Sequence, residues 1–240
     1  MDKAVTWHSF GASIIGPGHL AAGKPNQDSW LSFHNSWGDG IAVSDGIGSK
    51  PFSEFGSLYA CYSVKHAACN LSQTAANENL LSDIHNNWLD LIKPLSPRDA
   101  SATCLFVFRL NDGKIRAGLL GDGLIAGIKN DNSIIIINDD KSEGFSNITT
   151  PLSETMDEKA WQLSVLPEED YALFFLCTDG VSEDLDDTEG FVRNFASTAR
   201  QLPAITAARF LREMLEEWPV PKHTDDKTIA CFYKRDFCDE

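Results

Sequence analysis

Two apolar, strand-like segments of this chain run directly into an aspartate that is followed by glycine. The segment "IAVSDG" (41–46) leads to Asp45, and "FFLCTDG" (174–180) leads to Asp179. A lone carboxylate at the end of a buried strand is costly unless something neutralises it, and neither aspartate has an adjacent basic residue. Each is followed by a stretch leading towards a helix rather than by a second strand, so a hairpin turn explains them poorly. The pattern therefore predicts that both strand ends belong to a cation-binding site.

Three further aspartates lie beside predicted strands: Asp28 in "NQDSW", Asp122 in "LLGDGL" and Asp225 in "HTDDKT". Asp112 in "NDGK" has the sequence of a hairpin turn and is assigned to one. Asp122 has a strand on each side, which leaves a turn and a site equally open. Carboxylates gathered without a Cys or His cluster form a hard-oxygen site suited to Mg²⁺ or Mn²⁺ rather than zinc.

The charge of the chain restricts its partners. Its 240 residues carry 35 acidic against 20 basic side chains, a net charge of −15, which makes nucleic acid and anionic membranes poor partners. No apolar run reaches the ~20 residues that span a bilayer, and the first residues lack the pattern of a signal peptide. The six cysteines show no CxxC spacing and are typical of a reducing compartment. We therefore expect a cytoplasmic protein that binds neither nucleic acid nor membrane.

The order of predicted elements indicates the fold class. Strand patterns occur at 6–16, 29–33, 40–45, 102–110, 114–120, 124–128, 133–138, 160–166, 171–178 and 227–234, and helical patterns at 53–71, 77–92 and within 188–217. We expect a single α+β domain over residues 1–240, with a central antiparallel β-sandwich flanked by α-helices on both sides, in four layers α-β-β-α.

Six short motifs occur in an order that resembles one known family. They are "NQD", "VSDGIGS", "SATCLFVF", "LLGDG", "FFLCTDG" and "DDKT". In this order and at these separations they resemble the metal-dependent protein phosphatases (protein phosphatase 2C), over about residues 9–233. The stretch "GHLAAGKPNQD" is more similar to a divergent bacterial branch than to the eukaryotic enzymes. The family's fold, a β-sandwich with flanking helix pairs, agrees with the element order.

The resemblance implies a metal site with two principal cations. Asp45 would bridge both ions, and the carbonyl of Gly46 would bind one of them. Asp179 and Asp225 would bind the other. Asp226 stands where the family usually has asparagine, so the choice between Asp225 and Asp226 is open, and we favour Asp225.

Two further aspartates receive roles from the same resemblance. Asp28 would orient the attacking water. Asp122, with Asp179, would match a position that binds a third, weaker ion in several bacterial members.

The chain also departs from the family pattern. Gln27 stands where the family commonly has a glutamate ligand of the second metal, so it would bind through its carbonyl or through water. Ile47 replaces a histidine that some members use as a general acid. Gly23 occupies the position of the family's phosphate-binding arginine, and Lys24, one residue later, or His19 would contact the phosphate instead.

The resemblance implies a metal-dependent phosphoprotein phosphatase. Two Mn²⁺ or Mg²⁺ ions would bind, and a metal-bridging hydroxide would attack phosphoserine or phosphothreonine directly. Its substrate would be a phosphoprotein, the target of a partner Ser/Thr kinase. The alternative is a weak or inactive pseudophosphatase that binds phosphoproteins or regulates a partner, and the changes at Gln27, Ile47 and the missing arginine support it.

Overall fold

The computed structural model describes residues 6–74, 79–138, 150–219 and 224–235. In these ranges the strands are β1 (Thr6–Ile14), β2 (Asp28–Asn35), β3 (Gly38–Asp45), β4 (Cys104–Leu110), β5 (Lys114–Leu120), β6 (Leu124–Lys129), β7 (Ile134–Asn138), β8 (Gln162–Pro167), β9 (Tyr171–Cys177) and β10 (Lys227–Arg235). The helices are α1 (Pro17–Ala22), α2 (Ser53–Thr74), α3 (Leu80–Leu91), α4 (Asp179–Ser182), α5 (Thr188–Arg200) and α6 (Ala204–Glu216).

The strands form two five-stranded antiparallel sheets. One has the order β1-β10-β9-β6-β7 and the other β2-β3-β4-β5-β8. Helices α2 and α3 share a buried cluster with the second sheet, and α5 and α6 share one with the first. The predicted α+β sandwich with helices on both sides is confirmed.

The apolar strands are continuous in sequence because both of their faces are buried. In β4, Phe106 and Phe108 pack towards α2 and α3, whereas Leu105 and Val107 pack between the sheets. Strand β9 alternates in the same way. Because successive side chains of a strand point to opposite faces, a strand covered on both sides needs an unbroken apolar run.

Most predicted elements are observed with small shifts at their ends. The first strand ends at Ile14, two residues before the end of the predicted segment 6–16. The short helix α1, which begins at Pro17, was not predicted and has no buried residue. The predicted start of α3 at residue 77 lies outside the described residues. Asp112 lies in the β4–β5 hairpin, where Gly113 has a φ of 72°.

The sequence predicted no membrane-spanning segment and no disulfide framework. Among the described residues no helix is long and apolar enough to cross a membrane. The cysteines within the described ranges are free thiols, and Cys238 lies outside those ranges.

Candidate metal centre

The predicted acidic residues meet because their strands end at the same edge of the sandwich. Asp28 begins β2 and lies opposite Asp45, the last residue of β3. In the other sheet, the end of β9 pairs with the beginnings of β6 and β10, so Asp179 and Asp225 lie at one end of that sheet. Four separate chain segments thus bring carboxylates to one edge of the sandwich.

Asp122 connects the two sheets and is not part of a hairpin. It lies between β5 of one sheet and β6 of the other, flanked by Gly121 with φ 91° and Gly123 with φ 117°. These left-handed values favour glycine. The tight crossing places the Asp122 carboxylate beside Asp45 and Asp179, and one oxygen from each of the three lies within 4.8 Å of the others.

When no cation is present, burial and mutual repulsion disfavour the ionised form of the carboxylates in this centre and raise their pKa values. Burial raises the pKa of Asp28 to about 7. Burial, with the charges of Asp122 and Asp225, raises the pKa of Asp179 to about 7. Burial and the neighbouring Asp28 and Asp179 raise the pKa of Asp45 well above its usual range. Such a cluster binds either protons or cations.

Two glycines beside the centre, Gly46 and Gly180, have no room for a side chain. A Cβ atom on Gly46 would lie 2.5 Å from the carbonyl oxygen of Ser53, and one on Gly180 would collide with the carbonyl oxygen of Asp226. Gly46 also donates its N–H to the carbonyl of Gln27 at 3.1 Å. Glycine after Asp45 and after Asp179 is therefore required by packing as well as by the close approach of the backbone.

The donor set fits hard divalent cations. Asp45, Asp122, Asp179 and Asp225 are only partly buried, so their oxygens are reachable from solvent. Gln27 is 3% exposed, and its Oε1 has no hydrogen-bond partner among the described residues. An unpaired buried acceptor is costly, and a cation would satisfy it.

Asp226, unlike its neighbour Asp225, is a buried hydrogen-bond acceptor. It is 1% exposed and accepts hydrogen bonds from the backbone N–H of Gly16 at 2.7 Å and of Gln27 at 2.6 Å, and it lies 2.8 Å from Nδ1 of His19. Asp225 is half-buried, and its charge acts on Asp45 and Asp179. This division supports Asp225 as the metal ligand.

Two supporting residues, Thr178 and Lys227, were not found from the sequence, and Asp226 was named there only as the alternative metal ligand. Thr178 is fully buried and donates from Oγ1 to Asp28 at 2.8 Å, which fixes that carboxylate. Lys227 is 3% exposed and donates to the carbonyl of Asp225 at 3.2 Å, so a basic group does lie behind the acidic cluster. With Asp226, these residues adjoin predicted ligands in "CTDG" and "DDKT". Their places beside predicted ligands indicated that they lie near the site. Their roles could not be predicted, because the residues they contact are far away in the sequence.

A sequence model described as protein phosphatase 2C matches residues 15–217. The chain belongs to the protein phosphatase 2C family.

Solved structures of similar fold agree with this membership. A bacterial serine phosphatase has a TM-score of 0.69 at 16% identity, covering 98% of this chain and all of that one (100%). RsbX in complex with magnesium has a TM-score of 0.63 at 14% identity, covering 97% and 100%. The photosystem II phosphatase PBCP has a TM-score of 0.67 at 14% identity, covering 95% and 98%. No curated protein sequence matches. At these identities the likeness shows the fold.

Lys24 and His19 were predicted as alternative contacts to the phosphate, in place of the arginine that this chain lacks. Lys24 is exposed and donates from Nζ to the carbonyl of Gly48 at 2.9 Å. Among the residues that the structure describes, Lys24 donates no hydrogen bond to an acidic side chain. Nδ1 of His19 lies 2.8 Å from Asp226, and a ring nitrogen of His19 and one oxygen each from Asp225 and Asp226 lie within 4.8 Å of one another.

We expect Asp226→Asn to destabilise this protein phosphatase 2C domain although asparagine is usual there in the family. Both carboxylate oxygens of Asp226 receive N–H donors, whereas an asparagine would turn its NH₂ group towards one of them. One buried donor would lose its acceptor, at a cost of about 1–3 kcal/mol in the free energy of unfolding. Urea unfolding of the metal-free protein measures this. Asp90→Asn, at an exposed position, is the matched control, and equal stability of the two variants would refute the assigned role of Asp226.

Proposed function

We propose that this protein hydrolyses phosphoserine and phosphothreonine in phosphoproteins, using two divalent cations, Mn²⁺ or Mg²⁺. The observation that carries the proposal is the convergence of Asp28, Asp45, Asp122, Asp179 and Asp225 at one end of the sandwich. A site that had decayed would be expected to lose such charges, because they repel one another when no metal is bound. Their retention favours catalysis over the pseudophosphatase alternative.

Different residues would bind each of the cations. Asp45 would bridge the two ions, with the carbonyl of Gly46 and Oε1 of Gln27 on one side. Asp179 and Asp225 would lie on the other side, and Asp122 with Asp179 would hold a weaker third ion. When bound, the cations would supply Lewis-acid activation of water and neutralise the phosphoryl charge.

Asp28 would orient the water that attacks phosphorus. Thr178 fixes one of its oxygens at 2.8 Å, and the carboxylate lies opposite Asp45, so its position is set before substrate binds. The leaving serine or threonine oxygen would take its proton from solvent, because Ile47 stands where a histidine could supply one.

The exposure of the centre favours a large substrate. Except for the buried Asp28, the carboxylates at the end of the sandwich are partly accessible to solvent, so a phosphorylated side chain on a folded protein could reach them. We propose that the substrate is the target of a partner Ser/Thr kinase. A cytoplasmic location is supported by the free cysteines, and a bacterial origin by the likeness to the bacterial branch.

Phosphate release from a phosphoserine peptide tests the proposal. We expect hydrolysis with Mn²⁺, its loss with EDTA and its return when Mn²⁺ is restored. A folded protein that binds Mn²⁺ but releases no phosphate from phosphoserine or phosphothreonine peptides would refute it and would favour the pseudophosphatase.

We expect Lys24→Ala to raise KM about tenfold and to change kcat little, because an exposed charge-assisted contact to phosphate acts on substrate and transition state alike. Lysine supplies a point charge and not the two-pronged grip of arginine. Steady-state kinetics on the phosphopeptide measure both constants. Lys93→Ala, at an exposed position just after α3, is the control, and a KM for Lys24→Ala within about twofold of that control would remove Lys24 from the phosphate site.

A further inference from the structure

His19 is held by a buried carboxylate that requires a proton on Nδ1 of its ring. Its Nδ1 lies 2.8 Å from Oδ2 of Asp226, and the same oxygen accepts the backbone N–H of Gln27 at 2.6 Å. The other oxygen of Asp226 accepts the N–H of Gly16. A carboxylate that receives two backbone donors acts as an acceptor, so Nδ1 of His19 donates to it. In a neutral imidazole the other nitrogen, Nε2, then carries a lone pair.

The lone pair of His19 and the unpaired oxygen of Gln27 border the same space. A carbon atom attached to Gly48 would lie 3.9 Å from Nε2 of His19 and 3.6 Å from Oε1 of Gln27. Gln27 is buried, and its Oε1 has no hydrogen-bond partner within the described part of the chain. Lys24, the nearest basic side chain by sequence, directs its Nζ to the carbonyl of Gly48. Both atoms therefore lie within 4 Å of one position beside Gly48, and Lys24 directs its Nζ to the Gly48 carbonyl rather than to either of them.

A cation could bind both lone-pair atoms, Nε2 of His19 and Oε1 of Gln27, whereas a phosphate could not. An oxygen of a phosphate would meet a lone pair on Nε2, unless the ring gained a proton. A divalent ion would accept both the nitrogen and the amide oxygen. A histidine that donates its far N–H to a carboxylate is the usual geometry of a metal-bound histidine, because the carboxylate orients the ring and makes its free nitrogen more basic.

We propose that Nε2 of His19 and Oε1 of Gln27 are ligands of the second cation, with Asp226 as the positioning residue for the ring. This proposal rests on the proposed function, since it concerns one of the two ions of the same centre. The second cation would then have two neutral ligands, the Gln27 amide oxygen and the His19 nitrogen, in place of the charged glutamate that the family commonly has at position 27. Imidazole favours transition-metal ions, whereas Mg²⁺ prefers oxygen, so the second position would select Mn²⁺ or a later first-row ion over Mg²⁺.

Pulsed electron paramagnetic resonance of the Mn²⁺-loaded protein tests the proposal without relying on activity. Directly bound imidazole couples its ¹⁴N nucleus to the Mn²⁺ electrons. We expect this coupling in the wild type, its loss in His19→Gln and its retention in His66→Gln, a matched change on the exposed face of α2. We also expect His19→Gln to weaken one of the two Mn²⁺ affinities at least about tenfold, measured by calorimetric titration.

Each other outcome has a distinct meaning. Mn²⁺ bound to the wild type without ¹⁴N coupling, or coupling that persists in a folded His19→Gln variant, would overturn the inference and leave the proposed function intact. Unchanged Mn²⁺ affinities in His19→Gln together with weaker inhibition by inorganic phosphate would assign His19 to the phosphate and also overturn it. A wild-type protein that binds no Mn²⁺ at all would refute the proposed function itself.

Discussion

Replacing Asp45 with asparagine is expected to abolish metal-dependent phosphate release and, without metal, to make the fold more stable. The change removes the bridge between two cations but keeps the size of the side chain. Burial and the charges of Asp28 and Asp179 raise the pKa of Asp45 well above its usual range, so an amide at this position relieves repulsion in the metal-free protein. Loss of activity together with a gain in stability separates a functional role from a structural one.

Phosphopeptide turnover at saturating Mn²⁺ and urea unfolding with EDTA measure the two effects of Asp45→Asn. Asp90→Asn, at an exposed position, is the control and should leave both unchanged. A variant that keeps more than about a tenth of wild-type turnover would contradict the assignment of Asp45 as the bridging ligand.

The second large effect is a dependence of stability on pH that metal reverses. Burial raises the pKa of both Asp28 and Asp179 to about 7 in the folded protein, far above the values of these groups in the unfolded chain. A carboxyl group of this kind binds its proton more tightly when folded. Its stabilising contribution is complete below the unfolded pKa and is lost as the pH rises through about 7. We therefore expect the metal-free protein to be more stable at pH 5 than at pH 8.

Bound Mn²⁺ should reverse this trend. Cations compete with protons for the same oxygens, so they bind more tightly at higher pH and stabilise the folded state by mass action. Thermal unfolding at pH 5 and pH 8, with EDTA and with Mn²⁺, measures the effect, and a difference of more than about 5 °C between the two pH values is expected for the metal-free protein.

Other titrating groups require an internal control. His8 has a pKa lowered by burial, which acts in the opposite direction as the pH falls. The same four melting curves on Asp45→Asn isolate the contribution of Asp45, because His8, Asp28 and Asp179 all remain in that variant. Wild-type and variant curves that run in parallel between pH 5 and pH 8 would show that the pKa of Asp45 is not raised.

The sandwich could be predicted from the sequence because its strands are buried on both faces. An unbroken apolar run such as that around Phe106 leaves few alternatives to a central strand, and the aspartate at the end of such a run is conspicuous. Helix α1 could not be predicted in the same way. Its residues include Pro17 and Gly18, and it buries no side chain, so neither periodicity nor composition indicates a helix.

The local sequence could identify acidic positions but not all of their partners. Asp225 and Asp226 are neighbours with the same side chain, yet only Asp226 turns towards the backbone N–H groups of Gly16 and Gln27, about 200 residues away along the chain. Thr178 fixes Asp28 across a comparable separation. Such contacts depend on how β2, β9 and β10 are placed in space, which no short motif contains.

Anomalous diffraction from crystals of the wild-type protein soaked in Mn²⁺ tests the metal centre most directly. The account predicts two strong Mn²⁺ peaks that share Asp45, one bound by Asp179 and Asp225 and the other near Gly46 and Gln27, with both peaks absent from Asp45→Asn. Crystals that diffract well but show no Mn²⁺ peak at the converging carboxylates would contradict it.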